Sequence, residues 1–240
     1  MKDISAKRIL LLIAVLVAAR AGAATIITDQ FNSGLDGWVD SNPAQMPVTA
    51  DTGFGLSLGS IKGVFAAQSL AFVQTGAFVA TNTTDSGAFT GNYWTGATNF
   101  TGFTFNFYAD TILPSDFILT FNGNGSTFSY SLENQSMGVG AWSSLAVPLT
   151  YGSGWLGGNA TAFSNSLTSV QYVDVQLTRN GTSQQTYWLD NFALTNQPLD
   201  INLVPEPGTG VLALGGLAAI LARRRIRRQL GLIATPRRTR

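Results

Sequence analysis

Thr101-Gly102-Phe103-Thr104-Phe105-Asn106-Phe107-Tyr108 decides the fold class. Its phenylalanines recur at every second position, so Phe103, Phe105 and Phe107 share one face of an extended strand. The same period continues on either side of it. Phe117-Ile118-Leu119-Thr120-Phe121 and Thr127-Phe128-Ser129-Tyr130-Ser131-Leu132 flank Asn122-Gly123-Asn124-Gly125, a hairpin-like turn. Val170 to Leu177 alternates too, Asn180-Gly181 follows, and Tyr187-Trp188-Leu189-Asp190-Asn191-Phe192-Ala193-Leu194 forms another run. From residue 25 to 203 the chain is rich in Gly, Ser, Thr, Asn, Phe and Val. It nearly lacks the Lys, Glu and Arg that favour exposed helices. Strand runs joined by Gly- and Asn-rich turns predict an all-β body, a jelly-roll-like antiparallel β-sandwich.

The charges are sorted by position, so the formal net of +1 misleads. Of the 14 Lys and Arg, four precede residue 23 and eight follow residue 222. The body keeps two cations, Lys62 and Arg179, against eleven acids, a net of −9. Such a surface repels phosphate, which argues against a nucleic-acid partner. The boundaries predicted are a signal peptide at 1–23, a sandwich at 24–198 and a linker at 199–203. A C-terminal sorting or anchor segment at 204–228 and a basic tail at 229–240 follow.

At the N-terminus Lys2, Lys7 and Arg8 precede the apolar stretch Ile9 to Ala19, and Ala21-Gly22-Ala23 offers small residues for cleavage. As a helix that stretch reaches only about 16 Å, too short for a hydrocarbon core of about 30 Å. It therefore reads as an export signal rather than an anchor. At the C-terminus Val204-Pro205-Glu206-Pro207 is followed by the uncharged run Gly210 to Ala222 and by Arg223, Arg224, Arg225, Arg227 and Arg228. The two prolines fix an extended backbone around Glu206, and the arginines hold a short transmembrane helix with its C-terminus cytoplasmic. From Pro207 to Ala222 such a helix reaches about 24 Å, short for a permanent span.

The chain has no His and no Cys. Ser-His-Asp and Cys-His arrangements, imidazole metal sites and disulfides are thereby excluded. The body has a single Glu, Glu133, and no Gly-rich phosphate loop, so the sequence predicts a protein that is not an enzyme. Aromatic residues offer sugar-stacking surfaces instead. Tyr93, Trp94 and Trp155 stand in Gly-rich, loop-like contexts and are the candidate ligand-binding residues; Trp142 is a further platform, while Trp38 and Trp188 are expected in the core.

Two resemblances add to this reading. Val204-Pro205-Glu206-Pro207, the apolar run and the Arg cluster together resemble the PEP-CTERM sorting signal of Gram-negative bacteria. That resemblance implies recognition by an exosortase, transient residence in the inner membrane, and delivery to the cell envelope or an extracellular matrix. The tail from Gln229 to Arg240 departs from the pattern, which ordinarily stops soon after the basic cluster. Asp29-Gln30-Phe31-Asn32-Ser33-Gly34-Leu35-Asp36-Gly37-Trp38 and the closing Tyr187 to Phe192 resemble the edges of carbohydrate-binding-module-type jelly rolls. There the first and last strands are often neighbours, which implies a structural calcium between Asp29 and Asp190, a hard cation on oxygen ligands. The same two carboxylates read equally as ordinary turn and strand-end groups. For the body, a structural or adhesive role and an exopolysaccharide-binding role both remain.

Overall fold

The computed structural model describes residues 26–57, 59–70, 72–94 and 99–199. The signal peptide at 1–23, the sorting motif Val204 to Pro207, the arginines from Arg223 to Arg228 and the basic tail all lie outside the described residues. In chain order the body forms β1 (Ile26–Asp29), β2 (Val39–Asp40), β3 (Val48–Asp51), β4 (Ser60–Phe65) and β5 (Thr75–Ala80). A short 3-10 turn at Thr84–Gly87 leads to β6 (Gly102–Ala109), β7 (Asp116–Gly123), β8 (Ser126–Ser131), β9 (Trp142–Pro148) and β10 (Trp155–Leu156). A helix, α1 (Ala160–Ser166), precedes β11 (Val170–Thr178) and β12 (Gln185–Thr195). Among the described residues no helix is long and apolar enough to cross a membrane.

These strands make two antiparallel sheets. The first runs β3-β4-β12-β6-β9, with β1 also on β12, and the second runs β10-β8-β7-β11-β5-β2. The first and last strands are neighbours, with Asp29 opposite Phe192. The alternation on β6 is as the sequence predicts: Phe103, Phe105 and Phe107 are buried, while Thr104, Asn106 and Tyr108 are only half-buried. Phe117, Leu119 and Phe121 of β7 and Val173, Val175 and Leu177 of β11 supply the facing layer of the core. Each such side chain contributes about 1.5–3 kcal/mol by leaving water.

Turn chemistry fixes the register. The β7–β8 hairpin closes on Asn124-Gly125, both with positive φ (48° and 74°), the conformation a two-residue hairpin requires. Gly37 turns at φ 84°, where an added Cβ would meet the Thr83 carbonyl oxygen at 2.6 Å. The turn returns Trp38 to the core, where its ring meets Phe31, Phe89 and Phe192 edge-on or tilted. On β12 the pairing with β6 slips between Asp190 and Ala193, and Asn191 sits at φ 50°. That bulge lets Leu189 and Phe192, three residues apart, both point inward.

Arg179 is buried, yet among the described residues no carboxylate pairs with it. Its N–H donors reach the Gly181, Ala66, Thr182 and Ser183 carbonyls and Gln74 Oε1. The guanidinium thus ties both ends of the β4–β5 loop to the β11–β12 turn.

Candidate functional site

The outward face of the first sheet carries a row of large side chains, built by register. Lys62 pairs with Trp188, Trp188 with Tyr108, and Tyr108 with Trp142, so β4, β12, β6 and β9 each place one residue side by side. Strands stand about 4.8 Å apart, so Trp188 and Trp142 are separated by roughly 10 Å across the sheet. The three aromatic side chains are half-buried, although among the described residues no strand layer covers them. Trp188 and Tyr108 meet edge to face at 5.4 Å, and Tyr108 and Trp142 are tilted at 5.5 Å. Phe54, on the turn 52–57 after β3, joins them from above.

A polar track runs beside this row, one outward position further along the strands. Asp190 of β12 pairs with Asn106 of β6, and Asn106 pairs with Ser144 of β9. The bulged Asn191 donates from Nδ2 to Asn106 Oδ1 at 3.0 Å, and Asn106 Nδ2 donates to Ser144 Oγ at 2.9 Å. Ser57 Oγ donates to Asn191 Oδ1 and extends the track onto the turn. Amides and hydroxyls in line beside aromatic faces match a sugar, whose hydroxyls ring an apolar plane.

Charge at this surface is compensated. Asp51 Oδ2 accepts from Trp188 Nε1 at 3.1 Å and from Lys62 Nζ at 3.4 Å. Burial pushes Asp51 up, but the indole N–H and the Lys62 ammonium outweigh it and hold the carboxyl below its ordinary value. Asp190 Oδ2 accepts from the backbone N–H groups of Leu56 (2.6 Å) and Ser57 (3.2 Å), and Oδ1 accepts from Asn191 N at 2.6 Å. Burial raises Asp190 above the usual carboxylate range despite those donors.

The aromatic residues singled out from sequence fare differently. Tyr93 is 1 % exposed, packs on Phe100 and Phe103, and donates its hydroxyl to the Phe89 carbonyl at 2.7 Å. Trp155 is 5 % exposed among Phe121, Tyr130 and Phe163, its Nε1 on the Pro148 carbonyl. Both are core residues rather than ligand platforms: Tyr93 N bonds to the Leu167 carbonyl beside the helix end, and Trp155 lies on β10, which pairs with β8. Of the three candidates only Trp94, 38 % exposed, offers its ring to solvent. Trp188 reverses in the other sense: expected in the core, it points outward because its neighbours Tyr187 and Leu189 take the inward positions. Phe54 escapes sequence reasoning altogether, since its place between Gly53 and Gly55 in an apparent loop carries no periodic signal.

The acids proposed for calcium are engaged otherwise. Asp29 Oδ1 accepts from Phe31 N at 3.0 Å and Oδ2 from Trp38 Nε1 at 2.9 Å. Burial pushes its pKa up to about 6, with the Phe31 and Trp38 donors acting the other way. Asp29 and Asp190 are thus engaged by N–H donors, whereas calcium collects six to eight oxygens. Among the described residues no three His, Cys, Asp or Glu stand together as a metal set. The arrangement fits two carboxylates that cap loops, and it does not supply a calcium cradle.

The second sheet's outward face is different in kind. Asp174 of β11, 6 % exposed, faces Thr120 of β7 and receives Gln176 Nε2 on both oxygens at 3.1 and 3.2 Å. Thr120 and Ser129 hydroxyls meet at 3.3 Å, and Asn122 Nδ2 donates to Thr127 Oγ1 at 2.8 Å. An open polar recess of about 400 Å³ lies at the hairpin end, but Asn124 Nδ2 there is already held by the Asn165 carbonyl and Thr168 Oγ1.

No known protein family and no curated protein sequence matches this chain. Several solved structures are similar to it. A family 11 carbohydrate-binding module from Clostridium thermocellum, in complex with a beta-1,3-1,4-mixed-linked tetrasaccharide, aligns at 10 % identity and TM-score 0.46. The alignment covers 71 % of this chain and 94 % of the module. The L4b domain of human laminin alpha-2 aligns at 8 % identity and TM-score 0.43, over 73 % of this chain and 98 % of that domain. The agarase AgWH50C aligns at 15 % identity and TM-score 0.47, over 74 % of this chain but 25 % of the enzyme. At such values the likeness assigns no ligand.

Proposed function

We propose that this chain is an exported, non-catalytic glycan-binding protein whose contact surface is the row Trp188, Tyr108 and Trp142 with its flanking polar track. The observation that carries the proposal is the alignment, by strand register, of three outward aromatic rings beside Asn191, Asn106 and Ser144. Aromatic faces bind the apolar side of a pyranose, and the amide track can exchange hydrogen bonds with its hydroxyls.

The termini supply the route to the ligand in this proposal. Residues 1–23 support export, and Val204-Pro205-Glu206-Pro207 with the Arg223–Arg228 cluster supports exosortase-dependent sorting to the cell surface or matrix. The ligand is then an exopolysaccharide of the producing cell. A body with a purely structural role in the matrix is the competing reading, and it predicts no saturable binding. Affinity electrophoresis of the full chain in gels of soluble mixed-linkage β-glucan, xylan and agarose separates the two. Retardation that Trp142→Ala and Trp188→Ala abolish is expected; unretarded migration in every gel sinks the binding proposal. Mass spectrometry of the mature surface protein checks sorting: a C-terminus ending near Pro207 is expected, and intact peptides from 229–240 would oppose it.

A further inference from the structure

Phe54 is the one ring of the aromatic group that no strand supplies. The turn 52–57 carries it between Gly53 and Gly55 and lays it against the three strand-borne rings. It stacks on Trp142 at 5.5 Å and 28°, meets Tyr108 edge-on at 5.0 Å, and leans on Trp188 at 4.8 Å. We propose that the position Phe54 fills is the principal sugar subsite, that Phe54 is its resident stand-in, and that an uncharged hexopyranose displaces it. The inference rests on the glycan-binding proposal above and adds to it which ring goes where and which glycans are refused.

Three features support the exchange. A six-membered sugar ring and a phenyl ring present apolar faces of similar size, so the contacts of Phe54 with Trp142 are those a pyranose can take over. The attachment of the turn is polar, and it includes a bond from Ser60 Oγ to the Phe54 carbonyl. Leu56 N and Ser57 N rest on Asp190, and Ser57 Oγ rests on Asn191 Oδ1. Asn191 also begins the polar track, so withdrawal of Ser57 frees its amide oxygen for a sugar hydroxyl at the moment the ring position opens. The polar atoms that release the turn and those that receive the ligand therefore overlap.

Charge sets the class of ring. Lys62, the cation beside these rings, is committed to Asp51, and the body around it nets −9, two cations against eleven acids. A uronate entering here finds the nearby ammonium already spent on Asp51 and is repelled by the net negative charge of the body. A neutral hexose meets no such repulsion.

The test measures binding of the purified full chain to soluble mixed-linkage β-glucan, with alginate as the acidic probe, by affinity electrophoresis. Phe54→Ala removes the stand-in and is expected to bind the glucan about tenfold more tightly, because the open state no longer competes with a filled one. Phe54→Leu keeps an apolar plug and is expected to bind within about threefold of the native chain. Alginate is expected to bind none of these proteins. Equal or weaker glucan binding by a folded Phe54→Ala overturns the stand-in while leaving the glycan proposal intact. Binding of alginate as tight as that of glucan overturns the neutral class. Failure of both the native chain and Phe54→Ala to bind any of glucan, xylan or agarose instead removes the glycan proposal itself. Thermal melting of each variant confirms that a lost signal is not a lost fold.

Discussion

The two outward faces of the sandwich solve the same problem in opposite ways. Both belong to central strands, β12 and β6 on one side and β11 and β7 on the other, and among the described residues neither is covered by a further strand layer. The first face lines up Trp188, Tyr108 and Trp142, keeps them half-buried, and pairs Lys62 with Asp51. The second uses hydroxyls and amides and leaves one carboxylate, Asp174, nearly buried against Gln176 rather than a cation. An aromatic face stores contact area for a partner, whereas a polar face with a desolvated acid stores a pH-dependent penalty. The proposed recognition uses the first face, whereas raised carboxylates occur in both sheets, Asp174 in the second and Asp29 and Asp190 in the first.

The largest effect expected is on the second face. Burial pushes Asp174 from 3.8 to about 6, against the opposing donors Gln176 and Thr120. The folded pKa lies above the unfolded one, so the fold holds this proton more tightly. The stability it contributes is fully present below about 4 and is lost as pH rises through about 6. The difference amounts to about 3 kcal/mol of penalty at pH 7. Asp29, also raised to about 6, acts in the same sense. Melting temperature should therefore climb as pH falls from 7.5 to 5, and Asp174→Asn should flatten about half of that climb. A native protein that melts lower at pH 5 than at pH 7.5 would contradict the burial of these acids.

Binding follows. Trp188→Ala should weaken glucan binding roughly 30-fold, about 2 kcal/mol, while Tyr172→Ala on the second face leaves it unchanged. The reverse pattern would move the site to the other sheet. Salt comes next: with Lys62 paired to Asp51 and Arg179 spent on carbonyls, glucan affinity should change less than about twofold between roughly 50 and 500 mM NaCl. The smallest effect concerns calcium. Because Asp29 and Asp190 already accept N–H bonds, adding calcium or a chelator should move the melting midpoint by less than about 1 °C. A rise of several degrees with calcium would reinstate the cation that the jelly-roll resemblance implies.

How much of this is legible in the sequence follows from the physics of strands. Period-two alternation reports which residues share a face, so the burial of Phe103, Phe105 and Phe107 can be read directly, while the Asn122 to Gly125 segment marks the turn and the motif from Asp29 to Trp38 places Trp38 in the core. Alternation does not report which strand lies beside which. The row from Lys62 to Trp142 joins residues up to 126 positions apart in sequence, Lys62 and Trp188, and exists only through register. Glycine context suggests exposure for Tyr93 and Trp155, while tertiary packing buries both. Helix α1 also goes unread, though Asn159, whose Oδ1 accepts from Ala162 N at 3.0 Å, is a capping signal visible in the sequence.

The bulge at Asn191 adds a side chain to the outer surface without exchanging the two faces of its strand. An inserted residue shifts parity: before it the even-numbered positions Trp188 and Asp190 face out, and after it Phe192 faces in. Deleting Asn191 would leave Asp190 facing out and Phe192 facing in on an unbroken ladder with β6, so Trp188 would stay outside and Phe192 and Leu194 inside. What the deletion would remove is the amide that links Ser57 Oγ to Asn106 Oδ1, and with it the tie between the turn 52–57 and the polar track. The fold should therefore tolerate the deletion better than the surface does.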